Sequence, residues 1–82
     1  MILPRNLDGK TFIKLLEKLE FVQSRQKGSH VRLTKITSEG EIHVTIPNHN
    51  PVKIGTLNSI LKGLAEDLNI SKEELINNLF KK

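Results

Sequence analysis

Residues 21–46 constrain the fold most tightly: three short runs rich in β-branched residues are separated only by Lys27-Gly28 and by Thr37-Ser38-Glu39-Gly40. Connections this short join antiparallel neighbours, because a parallel crossover needs a dozen residues or more. The pattern therefore predicts strands over residues 21–26, 29–36 and 41–46, in a three-stranded antiparallel meander. Lys27-Gly28 reads as the first hairpin loop, with Gly28 supplying the positive φ that such turns need. Register follows from the demand that apolar residues share one face. Pairing Gln26 with Ser29 sets Ser24 against Val31 and Val22 against Leu33, and brings Arg25 opposite His30. Pairing Ile36 with Glu41 sets Leu33 against Val44 and Val31 against Ile46. His30, Arg32, Thr34, His43 and Thr45 then fall on the opposite, polar face. His43 stands across from Thr34, roughly 13 Å from His30 at ordinary strand rise, too far for the two rings to exchange a proton.

An amphipathic helix precedes the sheet. Asp8 is a good N-cap, and Phe12, Leu15, Leu16 and Leu19 recur at i, i+3, i+4 and i+7, with Ile13 widening the stripe, so a helix is predicted over residues 8–19. Beyond the sheet, Pro47-Asn48-His49-Asn50-Pro51 makes a stiff connection. Ile54, Leu57, Ile60, Leu61, Leu64 and Leu68 form the stripe of a second helix. Its N-terminus, with Lys53 and Thr56 beside it, offers backbone N–H groups to a phosphate. Asn69-Ile70 ends that helix. Ser71 with Glu74 is a capping-box signature for a short third one, lined by Leu75, Ile76, Leu79 and Phe80, whose apolar side either folds back onto the core or receives a partner. At 82 residues the chain supports one small core, so residues 1–82 read as a single α+β domain.

Composition narrows the function classes. Thirteen Lys or Arg against nine Asp or Glu give a formal charge of +4, compatible with nucleic acid or an acidic protein as partner. Without cysteine there is no disulfide framework, no thiolate nucleophile and no Cys-type zinc site, as suits a reducing cytoplasm. His30, His43 and His49 lack the close helical pairing of a zinc protease, so no metal or other cofactor is expected. The N-terminus has no long apolar run, and nothing approaches the roughly 20 apolar residues that span a bilayer, so no membrane partner is expected and the location reads as cytoplasmic. With Phe12, Phe21 and Phe80 as the only aromatics, phosphate contacts rather than base stacking would dominate RNA binding.

The densest chemistry lies in Arg25-Gln26-Lys27-Gly28-Ser29-His30. Histidine is the side chain whose ordinary pKa lies nearest neutrality, which suits proton transfer, and basic neighbours suit a phosphate-bearing substrate. In that reading His30 is the catalytic base or acid, Arg25, Lys27 and Arg32 meet phosphoryl oxygens, and Ser29 orients the phosphate or closes the turn. Lys53, Thr56 and Lys62 would contact phosphates along the second helix. The residues by themselves admit three functions: an RNA endonuclease, a non-catalytic binder of duplex RNA or DNA, and a protein-binding module whose cationic face meets an acidic partner.

Over nearly its whole length the chain resembles the HicA family of bacterial and archaeal toxins. The matching stretches are Leu3-Pro4-Arg5-Asn6-Leu7-Asp8-Gly9-Lys10, Leu15-Leu16-Glu17-Lys18-Leu19, Arg25-Gln26-Lys27-Gly28-Ser29-His30, and Ile46-Pro47-Asn48-His49 leading into Ile54-Gly55-Thr56-Leu57-Asn58-Ser59-Ile60-Leu61-Lys62. The resemblance implies an α-β-β-β-α double-stranded-RNA-binding-domain-like fold, with helices on one face of the sheet and a short extra C-terminal helix. It also implies the toxin of a type II toxin–antitoxin system, an mRNA interferase that cuts messenger RNA without a metal. Activity would depend on the histidine of the Gly-Ser-His motif, here His30. The implied partners are the mRNA substrate and a HicB-type antitoxin, with operator DNA met only indirectly through the antitoxin complex. One departure is Glu20, which stands where family members usually carry the glycine that stops the first helix.

Overall fold

The computed structural model describes residues 6–80, so the Leu3-Pro4-Arg5 start of the first matching stretch lies outside the described residues. Helix α1 (Gly9–Glu17) begins where expected, because the Asp8 carboxylate accepts the Thr11 N–H at 2.7 Å. The side-chain and backbone donors of Thr11 hold the Asp8 carboxyl below the usual carboxylate range. The helix stops at a Lys18 cap, earlier than the predicted residue 19, and Glu20 takes a left-handed φ of 72°. Several contacts make that conformation tolerable in a non-glycine residue. Phe21 is buried and its N–H reaches back to the Leu16 carbonyl at 3.2 Å, while Lys35 Nζ donates to the Leu19 carbonyl at 2.6 Å and lies 3.4 Å from the Glu20 carboxylate.

Strands β1 (Val22–Lys27), β2 (His30–Thr37) and β3 (Gly40–Pro47) form one antiparallel sheet in the order β1-β2-β3. Across the second turn the register is as read from the sequence: Ile36 pairs with Glu41, Leu33 with Val44 and Val31 with Ile46. Across the first turn it is not. The loop is Gly28-Ser29, with Gly28 at φ 59°, so Lys27 pairs with His30, and Arg25 pairs with Arg32 instead of His30. A bulge at Ser24 then shifts the register again, and Val22 pairs with Thr34, not Leu33. Val22 is consequently 65% exposed on the outer face. The cause is that β1 is an edge strand with no buried side chain, so no apolar alternation was present to pin it.

Helices α2 (Ile54–Leu68) and α3 (Lys72–Phe80) complete the fold, and the three helices pack chiefly on β3 and on each other. Val31, Leu33 and Ile46 from the sheet meet Phe12, Leu16, Leu57 and Leu61 in the core. Ile54 leaves the predicted stripe and is 47% exposed, whereas Leu75, Ile76 and Leu79 are buried, so α3 closes the core and is not a face held open for a partner. Its start is capped as expected, with the Glu74 N–H donating to Ser71 Oγ at 3.0 Å. Asn69, in a left-handed conformation at φ 58°, terminates α2. The element order and single-faced sheet are those of the α+β, double-stranded-RNA-binding-domain-like architecture. No helix among the described residues is long and apolar enough to cross a membrane.

Candidate active site

Three backbone hydrogen bonds gather distant parts of the chain at one end of the sheet. The Asn48 N–H donates to the Ser29 carbonyl at 2.6 Å, the Gly9 N–H to the His49 carbonyl at 2.8 Å, and the Val52 N–H to the Leu7 carbonyl at 2.8 Å. The first turn of α1, the β1–β2 loop and the β3–α2 connection therefore meet. Gly9 permits the approach: a Cβ there would lie 2.6 Å from Asn48 Cα and 2.6 Å from the Pro47 carbonyl oxygen, closer than such atoms can come. The β3–α2 connection includes a cis Asn50–Pro51 peptide bond.

His30 opens β2 at this end, exposed, with Pro47 as its partner on β3 and Lys27 as its partner on β1. Cross-strand partners share a face, so Lys27 and His30 stand together, and the Arg25–Arg32 pair lies on the same face two residues along, about 7 Å away at ordinary strand rise. Four of the residues singled out from the sequence, Arg25, Lys27, His30 and Arg32, thus share one outward surface, although the cation directly across from His30 is Lys27 and not Arg25. Ser29 is exposed in the loop, and its carbonyl anchors Asn48. Lys53 caps α2 without a side-chain hydrogen bond, and with Thr56 it is exposed near the helix start. Lys62 lies about 12 Å further down the helix at 1.5 Å per residue and is not brought to His30.

A second group of side chains, not assembled by sequence reasoning, occupies the far part of the same face. Thr34 Oγ1 lies 2.9 Å from His43 Nδ1 and 2.9 Å from Ser24 Oγ, and His43 Nε2 is 3.3 Å from the Glu41 carboxylate. These residues floor a shallow depression of about 640 Å³ rimmed by Val22 and Ile36, which is 79% exposed. The sequence carried most of the signal: Glu41 and His43 share a face at i, i+2, and Thr34 was expected opposite His43. Only the bulge that turns Ser24 outward left no trace. His43 is therefore engaged on both ring nitrogens, whereas among the described residues neither the His30 nor the His49 ring has a hydrogen-bond or ion-pair partner. No three His, Asp or Glu side chains gather among the described residues as metal ligands would.

A family model described as the HicA toxin of bacterial toxin–antitoxin matches residues 9–64, from the start of α1 into the last turns of α2 and including the whole sheet. No curated protein and no solved structure matches the chain.

Proposed function

We propose, from the premise that the chain belongs to the HicA toxin family of bacterial toxin–antitoxin systems, that it is an endoribonuclease acting on messenger RNA through His30. The observation that carries this reading is the setting of that imidazole. It is exposed at the first position of β2, with Lys27 across from it and two guanidinium groups a step along the same face, inside the matched span. Such a surface receives a polynucleotide backbone by its phosphates and puts a proton acceptor beside it.

The reaction consistent with these groups uses the RNA's own 2′-hydroxyl. Neutral His30 takes the proton as the 2′-oxygen attacks the adjacent phosphorus, the bond from phosphorus to the 5′-oxygen breaks, and a 2′,3′-cyclic phosphate and a 5′-hydroxyl result. Charge gathers on the non-bridging oxygens during the attack, where Arg25, Lys27 and Arg32 stabilise it, with Ser29 orienting the phosphate. Lys53 and Thr56 at the start of α2 hold a neighbouring phosphate, and Lys62 engages the strand further away. No metal enters this route. A HicB-type antitoxin neutralises the toxin in the cytoplasm, and operator DNA is met through that complex.

The test is incubation of the purified chain with a defined RNA in excess EDTA, beside the His30→Ala variant. Cleavage by the parent chain and none by the variant is expected. Undiminished cleavage by the variant rejects His30, loss of cleavage in EDTA rejects the metal-free route, and a salt-sensitive complex with intact RNA identifies a non-catalytic binding module of the same fold.

A further inference from the structure

A single imidazole leaves the reaction without a donor for the departing 5′-oxygen, whose expulsion as an alkoxide is the harder half of the step. We infer that His49 is a second catalytic residue, the general acid that protonates that oxygen. The inference rests on the endoribonuclease reading and extends it to the Pro47-Asn48-His49 segment, which that reading does not use.

Four observations converge on His49. The Ser29–Asn48 hydrogen bond of 2.6 Å joins the residues that immediately precede the two histidines. Standard backbone dimensions then place the His30 and His49 Cα atoms within about 10 Å of each other, close enough for the two rings to meet one phosphate from either side. Second, the backbone around His49 is fixed although the residue is exposed: its N–H donates to the Pro47 carbonyl at 2.9 Å and its carbonyl accepts the Gly9 N–H at 2.8 Å. Third, the close approach that requires Gly9 falls on Pro47 and Asn48, so α1 presses this segment against the sheet end where His30 stands. Finally, the third imidazole is unsuited to the role, since His43 is bonded to Thr34 and Glu41 about 13 Å from His30.

The protons balance without a further reactant. His30 removes the 2′-hydroxyl proton, the 2′-oxygen forms its bond to phosphorus, and the bond to the 5′-oxygen breaks as protonated His49 delivers its proton to that oxygen. The 5′-hydroxyl product leaves, and exchange with water returns both rings to their starting states.

A sulfur in place of the bridging 5′-oxygen tests this, because a thiolate leaves without being protonated. The parent chain, His49→Ala and His30→Ala are each given an RNA with a mapped cut site and the same RNA carrying sulfur at that one position. The expected result is that His49→Ala loses about 10²- to 10⁴-fold in rate on the oxygen substrate and recovers to within about tenfold of the parent on the sulfur substrate. His30→Ala stays defective on both. A His49→Ala defect that sulfur leaves unchanged, or no defect at all, overturns the acid role while leaving the nuclease intact. A parent chain that cuts neither substrate overturns the nuclease reading, and the acid role with it. His49→Gln, judged by the same criteria, replaces the alanine variant should thermal unfolding show that variant to be misfolded.

Discussion

Replacing Gly9 by alanine tests the packing on which the site depends. The new methyl group would sit 2.6 Å from Asn48 Cα and 2.6 Å from the Pro47 carbonyl oxygen, and both neighbours are backbone, so no side-chain rotation relieves the overlap. Forcing α1 and the β3–α2 connection apart costs about 3 kcal/mol on the scale of overpacked cores, and alanine's better helix propensity returns about 1 kcal/mol. The net loss of about 2 kcal/mol lowers the melting temperature of a domain this size by about 8–16 °C. The Gly9–His49 hydrogen bond joins the two segments that are forced apart, and the Asn48–Ser29 hydrogen bond ties the displaced connection to the β1–β2 loop, so RNA cleavage per folded molecule falls as well. Thermal unfolding followed by circular dichroism, paired with a cleavage assay well below the transition, measures both effects. A Gly9→Ala chain melting within about 2 °C of the parent and cutting at the same rate would refute the idea that this contact holds the site together.

Other perturbations follow from the same geometry. Glu20→Gly relieves a left-handed side chain at the expense of one exposed ion pair with Lys35, so it raises stability by about 0.5–1 kcal/mol, read as a higher midpoint in urea. The Asp8 carboxyl is held below its ordinary range by Thr11, so the folded state gains stability from it above the unfolded pKa and loses that gain as pH falls through the lower folded one; in an NMR titration Asp8 protonates below the ordinary aspartate range, and Thr11→Pro, which removes both the hydroxyl and the backbone donor, moves it back up. If Arg25 contacts a phosphate of single-stranded RNA, Arg25→Gln reduces the slope of log affinity against log salt by about 0.7, with little change in sequence preference.

Much of this molecule was legible because its β2–β3 hairpin is over-determined. A short turn and the buried positions Val31, Leu33 and Ile46 admit one register, and the structure has it. Helix starts at Asp8 and Ser71 were equally legible, since capping is local chemistry. β1 was not. With every residue exposed it carries no periodic constraint: a two-residue loop moved by one position exchanged Arg25 for Lys27 beside His30, and a bulge at Ser24 then turned Val22 to the outer face. His30 could be singled out from a six-residue motif, but the neighbourhood of His49 could not, because it is made by the hydrogen bond between Ser29 and Asn48, nineteen residues apart in the chain.

The reaction chemistry itself is tested most directly by the ends left on the cut RNA. Mass spectrometry of the fragments should find a 2′,3′-cyclic phosphate on the upstream piece and a 5′-hydroxyl on the downstream piece, with a single 2′-deoxy substitution at the cut site abolishing both. A 3′-hydroxyl with a 5′-phosphate, or unimpaired cutting of the deoxy substrate, would mean that water and not the neighbouring hydroxyl attacks, and would contradict the role given to His30.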